Sequence, residues 1–542
     1  MTNLKIHPFL IFLIVFIIAL IWTISLTQGL PLGDPDDWDH VLAASDLSWN
    51  TLLGNLITPW SSSALWSGQV GRMNEVLHRR LFRSVILKTS ENLFGFQSFP
   101  FYFLSKNIFF AGTVGILFLL LLKLTNSLPI SIGGMLFYVF VPAHYTHLLW
   151  ISDPDTMVHF FMLLSIFSYL QFVSQDHSGK PKNWNYFLIF FISGWLAMKT
   201  KESALILPLS VGLYSVIQAV LQKQIKKEHA CIMFTCLLLC FFIVPLNALK
   251  SSAPPQFAFN LQVLSRLIFR NYACGYEDEA VSAFFSTKSI WPVSIARTFG
   301  FFMLWTLIGF GLFYFFKRRT QKETLLKQPL VVISCLWVII WTFFAGTFQP
   351  DPRYFSGVMV PLVILAAALA HRTISIYQKP WKIILILAIC GSLYMTLFEN
   401  IQHVYFLRIL IGQRTNRFLN IAKTIFEDRY GKSDLSEIGR FYSAEYIRDP
   451  DRQKRLKNSV YFVEMGYGQW EQTSAPSASE FERLAQKGFT YAAVMNRDQF
   501  NGSSRIKLIQ TIDGINHRSV LENILYTLKR KSPAPMYVFK YA

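Results

Sequence analysis

Residues 9–26, FLIFLIVFIIALIWTISL, form a stretch of 18 residues without a single charge. As an α-helix such a stretch is about 27 Å long, close to the ~30 Å hydrocarbon core of a bilayer. It follows Lys5 and resembles a secretory signal, but it is longer than the about 7–15 apolar residues of a signal, and no A-x-A cleavage site follows. The stretch therefore predicts a retained membrane anchor.

The composition of the whole chain agrees with this prediction. Of 542 residues, 52% are hydrophobic and only 15% are charged, against about 25% charged residues in ordinary soluble domains. This excludes a wholly soluble or disordered protein. The excess of 51 Lys and Arg over 32 Asp and Glu is typical of a membrane protein with cationic inner loops. No nucleic-acid partner is predicted, and the six cysteines suggest no disulfide framework.

Uncharged runs predict an α-helical polytopic membrane protein with about 11 transmembrane helices, because a charge at the bilayer centre costs ~2.5–3.5 kcal/mol. The runs are 6–33, 107–122, 124–152, 156–175, 183–198, 203–222, 229–249, 298–316, 328–350, 354–371 and 383–398. Lys and Arg concentrate in alternate short loops, which predicts a cytoplasmic N-terminus and an extracytoplasmic C-terminus in the inner or plasma membrane.

Three longer segments are predicted on the outer face: 34–105 with interfacial helices, 250–297, and the tail. In the tail, short apolar strands alternate with helices, which is typical of a small α/β domain. The strand-like segments are 459–464, 491–495, 507–512 and 536–541, and the helix-like segments are 415–430 and 479–487. The predicted domains are a transmembrane domain, 1–400, and a soluble outer domain, 401–542.

An acidic cluster, GDPDDWDH at residues 33–40, directly follows the first span. Because its carboxylates repel one another, we expect some of them to have a raised pKa or to bind a cation. A carboxylate with a raised pKa at a low-dielectric boundary suits general-base catalysis. Asp34, Asp36 and Asp37 are the candidate catalytic residues. A solvated loop in which Asp caps the next helix is the alternative.

Two short turns are predicted at the same outer level. Asp153 and Asp155 flank Pro154 in one turn, where aspartates also commonly close a turn. Lys201 and Glu202 in the next turn break the positive-inside trend, so they either pair with each other or face an anionic ligand.

Arginines at two further places suit phosphate binding, since guanidinium presents a planar fork to phosphate oxygens. Arg353 lies between two prolines and with Tyr354 opens a late span; a surface pair with Asp351 is the alternative. Arg79 and Arg80 lie in an amphipathic stretch that contacts headgroups or holds a phosphate-bearing lipid.

His144, His147 and His159, with Asp153 and Asp155, offer ligands for a divalent cation. Their spacing matches no compact metal-binding signature, so hydrogen-bonded histidines are favoured and no metal site is assigned. No nucleotide-binding motif occurs, so an energised donor must arrive attached to the membrane.

In order along the chain, these motifs resemble those of the GT-C superfamily of membrane glycosyltransferases, in particular the branch of protein O-mannosyltransferases and aminoarabinose transferases. The matching motifs, over about 1–400, are Asp36-Asp37-Trp38, FGFQSFPFY at 94–102, the turn at 150–156, TKESALILP at 200–208, and Arg353-Tyr354 followed by Pro361.

The resemblance implies a sugar donor on a polyprenyl phosphate and a glycan, lipid or protein acceptor. By analogy Asp36 would be the general base that deprotonates the acceptor hydroxyl. Many relatives have Asp-Glu where this chain has Asp-Asp, so Asp34, Asp36 and Asp37 all stay candidates for the base.

The resemblance also implies roles for the later turns. Asp37 with Asp153 or Asp155 would shape the site or hold a metal, and Lys201 and Arg353 would offset the charge of the leaving phosphate.

Two alternative functions remain open. An O-antigen ligase or polymerase also uses lipid-linked sugars, but relies on arginine and histidine in a late outer loop, whereas this chain has an acidic first loop. A non-catalytic export component or permease would need ionisable residues at mid-span and repeated halves. Here the charges cluster at the outer boundary.

Overall fold

The computed structural model describes residues 8–28, 30, 41, 44, 47–57, 81–95, 100–140, 143–149, 153–174, 183–224, 226–243, 328–345, 356–376, 460–462, 477–486, 491–494, 497–512 and 536–542, and short pieces between 383 and 431. Predictions for 250–297 and 298–316, and nearly all of 383–398, lie outside these residues. The same holds for Asp34, Asp36, Asp37, Arg79, Arg80, Arg353 and Tyr354.

The first 400 residues are helical wherever the structure describes regular elements. The helices are α1 (Pro8–Thr27), α2 (Trp49–Ile57), α3 (Leu81–Phe94), α4 (Pro100–Thr125), α5 (Leu128–Val139), α6 (Ala143–Leu149), α7 (Asp155–Ser174), α8 (Trp184–Thr200), α9 (Ile206–Gln222), α10 (Lys227–Ile243), α11 (Pro329–Ala345) and α12 (Ser356–Ile376). Each predicted span within the described residues overlaps at least one of them.

Five segments of these helices are long and apolar enough to cross a membrane: Phe9–Thr27, Phe101–Thr125, Asp155–Ser174, Ser203–Gln222 and Gly357–Ser375. The first of them contains the uncharged stretch 9–26. The prediction of a helical protein with several membrane spans is therefore confirmed for the described residues, whereas the count of 11 and the orientation of the termini stay predictions.

The run 107–122 was too short to cross a bilayer by itself, and the structure shows how it is lengthened. Helix α4 has 26 residues and includes a lysine on either side of the run. Lys123 reaches Gln171 at the helix surface. Lys106, at the other end of the run, is fully buried.

The run 124–152 is two helices rather than the single span predicted. α5 ends at Val139, and α6 begins at Ala143. Pro142 accounts for the break, because proline lacks the N–H of a helical hydrogen bond and disfavours helical geometry in the residue before it. The break between α5 and α6 thus lies shortly before the turn that carries Asp153 and Asp155.

The helices pack around one continuous apolar core. α4 lies centrally, with α1, α5 and α7 against it, and α7 packs in turn against α8. Gly112 allows α4 and α7 to approach closely, because a Cβ at this position would lie 2.5 Å from the ring of Phe160. Helices α1, α4, α5, α7 and α8 therefore belong to one packed unit.

The tail contains a four-stranded sheet in the order β1-β2-β4-β3. The strands are β1 (Val460–Phe462), β2 (Tyr491–Val494), β3 (Ile506–Ile512) and β4 (Met536–Tyr541), and the helix α13 (Ala478–Gln486) lies between β1 and β2 in the chain. β1 and β2 are parallel, which requires such a crossover, and the other pairs are antiparallel.

The side chains of Phe481, Val494, Phe500 and Phe539 form a small separate core between α13 and the sheet. The predicted strands and the helix at 479–487 are thus present. The boundary of the domain and its place on the outer face stay predictions.

Candidate functional site

Lys201 lies at a break between two membrane helices. α8 ends at Thr200, Lys201 is extended with φ −163° and ψ 150°, and a short 3-10 helix, Glu202–Leu205, leads into α9. Its backbone N–H still donates to the carbonyl of Ala197, at 3.2 Å. This geometry caps α8, and the Lys201 side chain is buried among the neighbouring helices.

The Lys201 ammonium is held by two carboxylates. Its Nζ lies 2.8 Å from Oδ1 and 2.8 Å from Oδ2 of Asp155, and 3.6 Å from Oδ1 of Asp153. All three side chains are about nine-tenths buried, with 9%, 8% and 12% of the Lys201, Asp155 and Asp153 side chains exposed. From the sequence, Lys201 was expected to pair with Glu202 or to face an anionic ligand. Its partners in the structure are instead two aspartates nearly fifty residues earlier in the chain. The Glu202 side chain is outside the described residues.

The sequence Asp153-Pro154-Asp155 forms the start of α7. The carboxylate of Asp153 accepts the N–H of Asp155 at 3.1 Å, and the carbonyl of Pro154 accepts the N–H of Met157 at 3.0 Å. Asp155 lies in the first helical turn, where the helix dipole favours a negative charge. Both the predicted turn closure and a second role, binding Lys201, are therefore present.

The cluster has two carboxylates and one ammonium, so with all three ionised it carries one net negative charge. Inside an apolar bundle the attraction between these groups is much stronger than in water, and removing one partner leaves a buried charge. Carboxylate oxygens can accept more hydrogen bonds than one ammonium supplies. The cluster can therefore accept hydrogen bonds from hydroxyl groups at its edge.

Three more cationic side chains are buried in the same bundle: Arg83 on α3, Lys106 on α4 and Lys199 on α8. Phe82, next to Arg83, lies against Phe109 of α4 and Phe161 of α7, with ring centroids 6.2 and 5.3 Å apart.

The sequence interpretation assigned no role to Lys106, and it considered Lys199 only as one charge of the turn at 199–203. The available signal was a lysine at the end of an apolar run, which does not reveal whether the side chain points to the interface or inward. Lys106 points inward, with Nζ 5.5 Å from the ring centroid of Tyr102.

Two of the three predicted histidines lie together. His144 and His159 are buried, with ring centroids 6.1 Å apart, and His144 lies 4.2 Å from the ring of Tyr138. The His147 side chain is outside the described residues. Within the described part of the chain, no three His, Cys, Asp or Glu side chains come close enough to hold a metal ion. The Asp153–Asp155 pair is already neutralised in part by Lys201, which makes it a poor divalent-cation site.

One part of the chain matches a protein-family model. Residues 87–251 match the model for dolichyl-phosphate-mannose-protein mannosyltransferase. The matched segment, less than a third of the chain, contains the Asp153–Asp155–Lys201 cluster. The resemblance drawn from the sequence motifs is thereby confirmed over this segment. No curated protein matches the chain by sequence.

Solved structures with a similar chain path include two of ArnT from Cupriavidus metallidurans. The form bound to undecaprenyl phosphate has 12% identity and a TM-score of 0.48 over 98% of both chains. The apo form has 13% identity and a TM-score of 0.41 over 97% of both chains. The oligosaccharyltransferase of Archaeoglobus fulgidus has 11% identity and a TM-score of 0.44 over 88% of this chain and 67% of its own.

Proposed function

We propose that the chain is a membrane glycosyltransferase that moves a sugar from a polyprenyl-phosphate donor to an acceptor hydroxyl at the outer face of the inner or plasma membrane. The observation that carries the proposal is the buried Lys201–Asp155 ion pair within the segment that matches the mannosyltransferase model. Buried charges in an apolar helical bundle are costly to maintain and mark functional sites.

The general base is Asp36, with Asp37 and Asp34 beside it in the sequence. Asp36 takes the proton of the acceptor hydroxyl while the oxygen bonds to the anomeric carbon. The bond from that carbon to the phosphate oxygen breaks, and polyprenyl phosphate leaves with the electron pair. Attack from the side opposite the phosphate inverts the anomeric centre. The proton on Asp36 passes to water before the next cycle.

Cationic side chains in the bundle favour this reaction electrostatically. Arg83, Lys106 and Lys199 are buried on three of its helices, and a cation close to the leaving phosphate stabilises the charge that develops on it. Arg79, Arg80, Arg353 and Tyr354 remain assigned to the phosphate on the chemistry of their side chains.

Lys201 receives a different role from the one that the resemblance implies. Its ammonium already lies 2.8 Å from both Asp155 oxygens, so its charge is largely offset. We assign Lys201 to holding the carboxylates of Asp155 and Asp153 in place. Their remaining lone pairs then accept hydrogen bonds from hydroxyl groups of the sugar or the acceptor. Glu202 stays a candidate neighbour of the same site.

The test is transfer by the purified full chain in nanodiscs, with polyprenyl-phosphate sugars labelled in the sugar. The wild type should transfer label to an extracted envelope acceptor, and Asp36→Asn should abolish transfer at normal expression. Asp498→Asn, at an exposed residue of the tail, is the matched control and should leave the rate unchanged. Full activity of Asp34→Asn, Asp36→Asn and Asp37→Asn alike would rule out the proposed base, and no transfer with any donor would favour the export component.

A further inference from the structure

Because α5 ends at Val139, its last carbonyl groups lack the partners that a continuing helix would supply. In an apolar bundle such a group needs a hydrogen bond from elsewhere, since no water is available to supply one. The hydroxyl of Tyr145, in the first turn of α6, donates to the carbonyl of Val139, the last residue of α5. Tyr145 is fully buried. One side chain thus connects the start of α6 to the end of α5.

The same hydroxyl also binds α1. The indole Nε1 of Trp22 donates to the Tyr145 oxygen at 2.7 Å. A phenol has one hydrogen to donate, and Val139 receives it, so the bond with Trp22 can run only in this direction. The Trp22 ring also lies edge-on to Phe140, with centroids 5.3 Å apart. Tyr145 therefore joins three helices at a single oxygen.

A second contact holds the outer end of α1. The amide Nδ2 of Asn107, on α4, donates to Oγ1 of Thr27 at 2.8 Å, and both side chains are buried. Thr27 is the last residue of α1 and itself donates to the carbonyl of Thr23 at 3.1 Å. Asn107 thus fixes the end of α1 against α4, and Tyr145 fixes it against α5 and α6.

The elements joined by Tyr145 lead to the two acidic parts of the proposed site. α1 leads directly into the segment with Asp36, and α6 leads into the turn with Asp153 and Asp155. We infer that Tyr145 is a positioning residue that fixes the outer end of α1 relative to that turn. It acts through α1 and α6 without touching the reacting atoms, and its effect on transfer rests on the proposed function.

The first measurement is steady-state transfer by Tyr145→Phe, which removes only the hydroxyl. Because displacing a reacting group by about 1 Å can cost about 100-fold in rate, we expect kcat to fall about 10- to 100-fold with the KM for the donor unchanged. Trp22→Phe should act in the same way, and the double variant should lose little more. Tyr169→Phe is the matched control, since Tyr169 is a buried tyrosine on α7 that packs against Phe190 and Tyr214.

The second measurement is hydrogen–deuterium exchange of the full chain in nanodiscs, which needs no activity. Tyr145→Phe should accelerate exchange in residues 20–28, and Tyr169→Phe should not. Unchanged exchange in Tyr145→Phe overturns the inference whether or not the wild type transfers sugar. A wild-type kcat in Tyr145→Phe, or a loss of rate equal to that of Tyr169→Phe, also overturns it. Absence of transfer in the wild type contradicts the proposed function instead.

Discussion

The ammonium of Lys201 lies 2.8 Å from each carboxylate oxygen of Asp155, deep in the helical bundle. The two residues come from different helix junctions, one at the start of α7 and one between α8 and α9. Each therefore fixes the position of the other, and the pair joins the start of α7 to the junction of α8 and α9.

Replacing Lys201 with methionine keeps most of the side-chain volume but leaves Asp155 buried with its charge uncompensated. We expect a loss of about 3–5 kcal/mol of stability, the usual cost of removing one partner of a buried pair. Unfolding of the purified protein in mild detergent measures the difference.

The control for this change is Lys423→Met, at an exposed pair with Glu427, where the two side chains are 50% and 44% exposed. Exposed pairs contribute less than about 1 kcal/mol. The double variant Lys201→Met/Asp155→Asn should recover part of the stability without recovering transfer. Equal effects of Lys201→Met and Lys423→Met would show that the buried pair has no special role.

The two acidic residues of the cluster should differ in importance. Asp155 contacts Lys201 through both oxygens at 2.8 Å, whereas Asp153 reaches it at 3.6 Å. We therefore expect Asp155→Asn to reduce kcat/KM about 100-fold or more and Asp153→Asn to reduce it several-fold less. The measurement is transfer from labelled donor at matched protein amounts. The opposite order would place the main hydroxyl contact on Asp153.

The sequence identified the members of this cluster but not their pairing. Asp153, Asp155 and Lys201 stood out because charged residues at the ends of apolar runs need a reason to be there. Their contact joins segments 46 residues apart, and the spacing within either turn gives no measure of that distance. Tyr145 and Asn107 carried no signal at all, since a polar group in an apolar run reveals its partner only after the helices are packed.

Close packing of α4 and α7 should depend on Gly112. A Cβ there would lie 2.5 Å from Cε2 of Phe160, so Gly112→Ala must displace an aromatic ring in the core. We expect a loss of about 1–3 kcal/mol of stability. Gly54→Ala in α2 is the control, because nothing lies within 4 Å of the added Cβ, and it should stabilise the protein by up to about 1 kcal/mol. A stabilising Gly112→Ala in the unfolding assay would contradict the close approach of the two helices.

Most helices and strands followed from simple patterns of residues. Uncharged length located the membrane helices, and short apolar segments located β2, β3 and β4 to within a residue or two. The end of α5 at Val139 was not predicted because the uncharged run continues past it, although Pro142 gave a usable signal. The inward direction of Lys106 could not be predicted, since the sequence of one helix does not say which face its neighbours cover.

The tail should show a small acid-dependent loss of stability at Asp428. Burial disfavours ionisation there, but hydrogen bonds from Lys540 and Tyr491, each at 2.8 Å, outweigh it and hold the pKa of Asp428 below its ordinary value. A lowered folded-state pKa stabilises the protein above the unfolded pKa of about 3.9, and this contribution is lost as the pH falls through the folded value.

Asp428→Asn should therefore weaken the sheet at pH 7 and remove this part of the pH dependence. The effect should stay below about 1 kcal/mol, because the Lys540 side chain is 41% exposed. Hydrogen exchange of β2 and β4 between pH 3 and 7 measures it. Stability of the wild type that rises as the pH falls below 4 would contradict the sign.

The proposed transfer reaction is tested most directly by mass analysis of envelope glycans, glycolipids and glycoproteins from cells that lack this protein. The account predicts that one glycan loses a single sugar residue, that the wild-type chain restores it, and that Asp36→Asn, expressed at the same level, does not. Glycans identical with and without the protein, or full restoration by Asp36→Asn, would contradict the account.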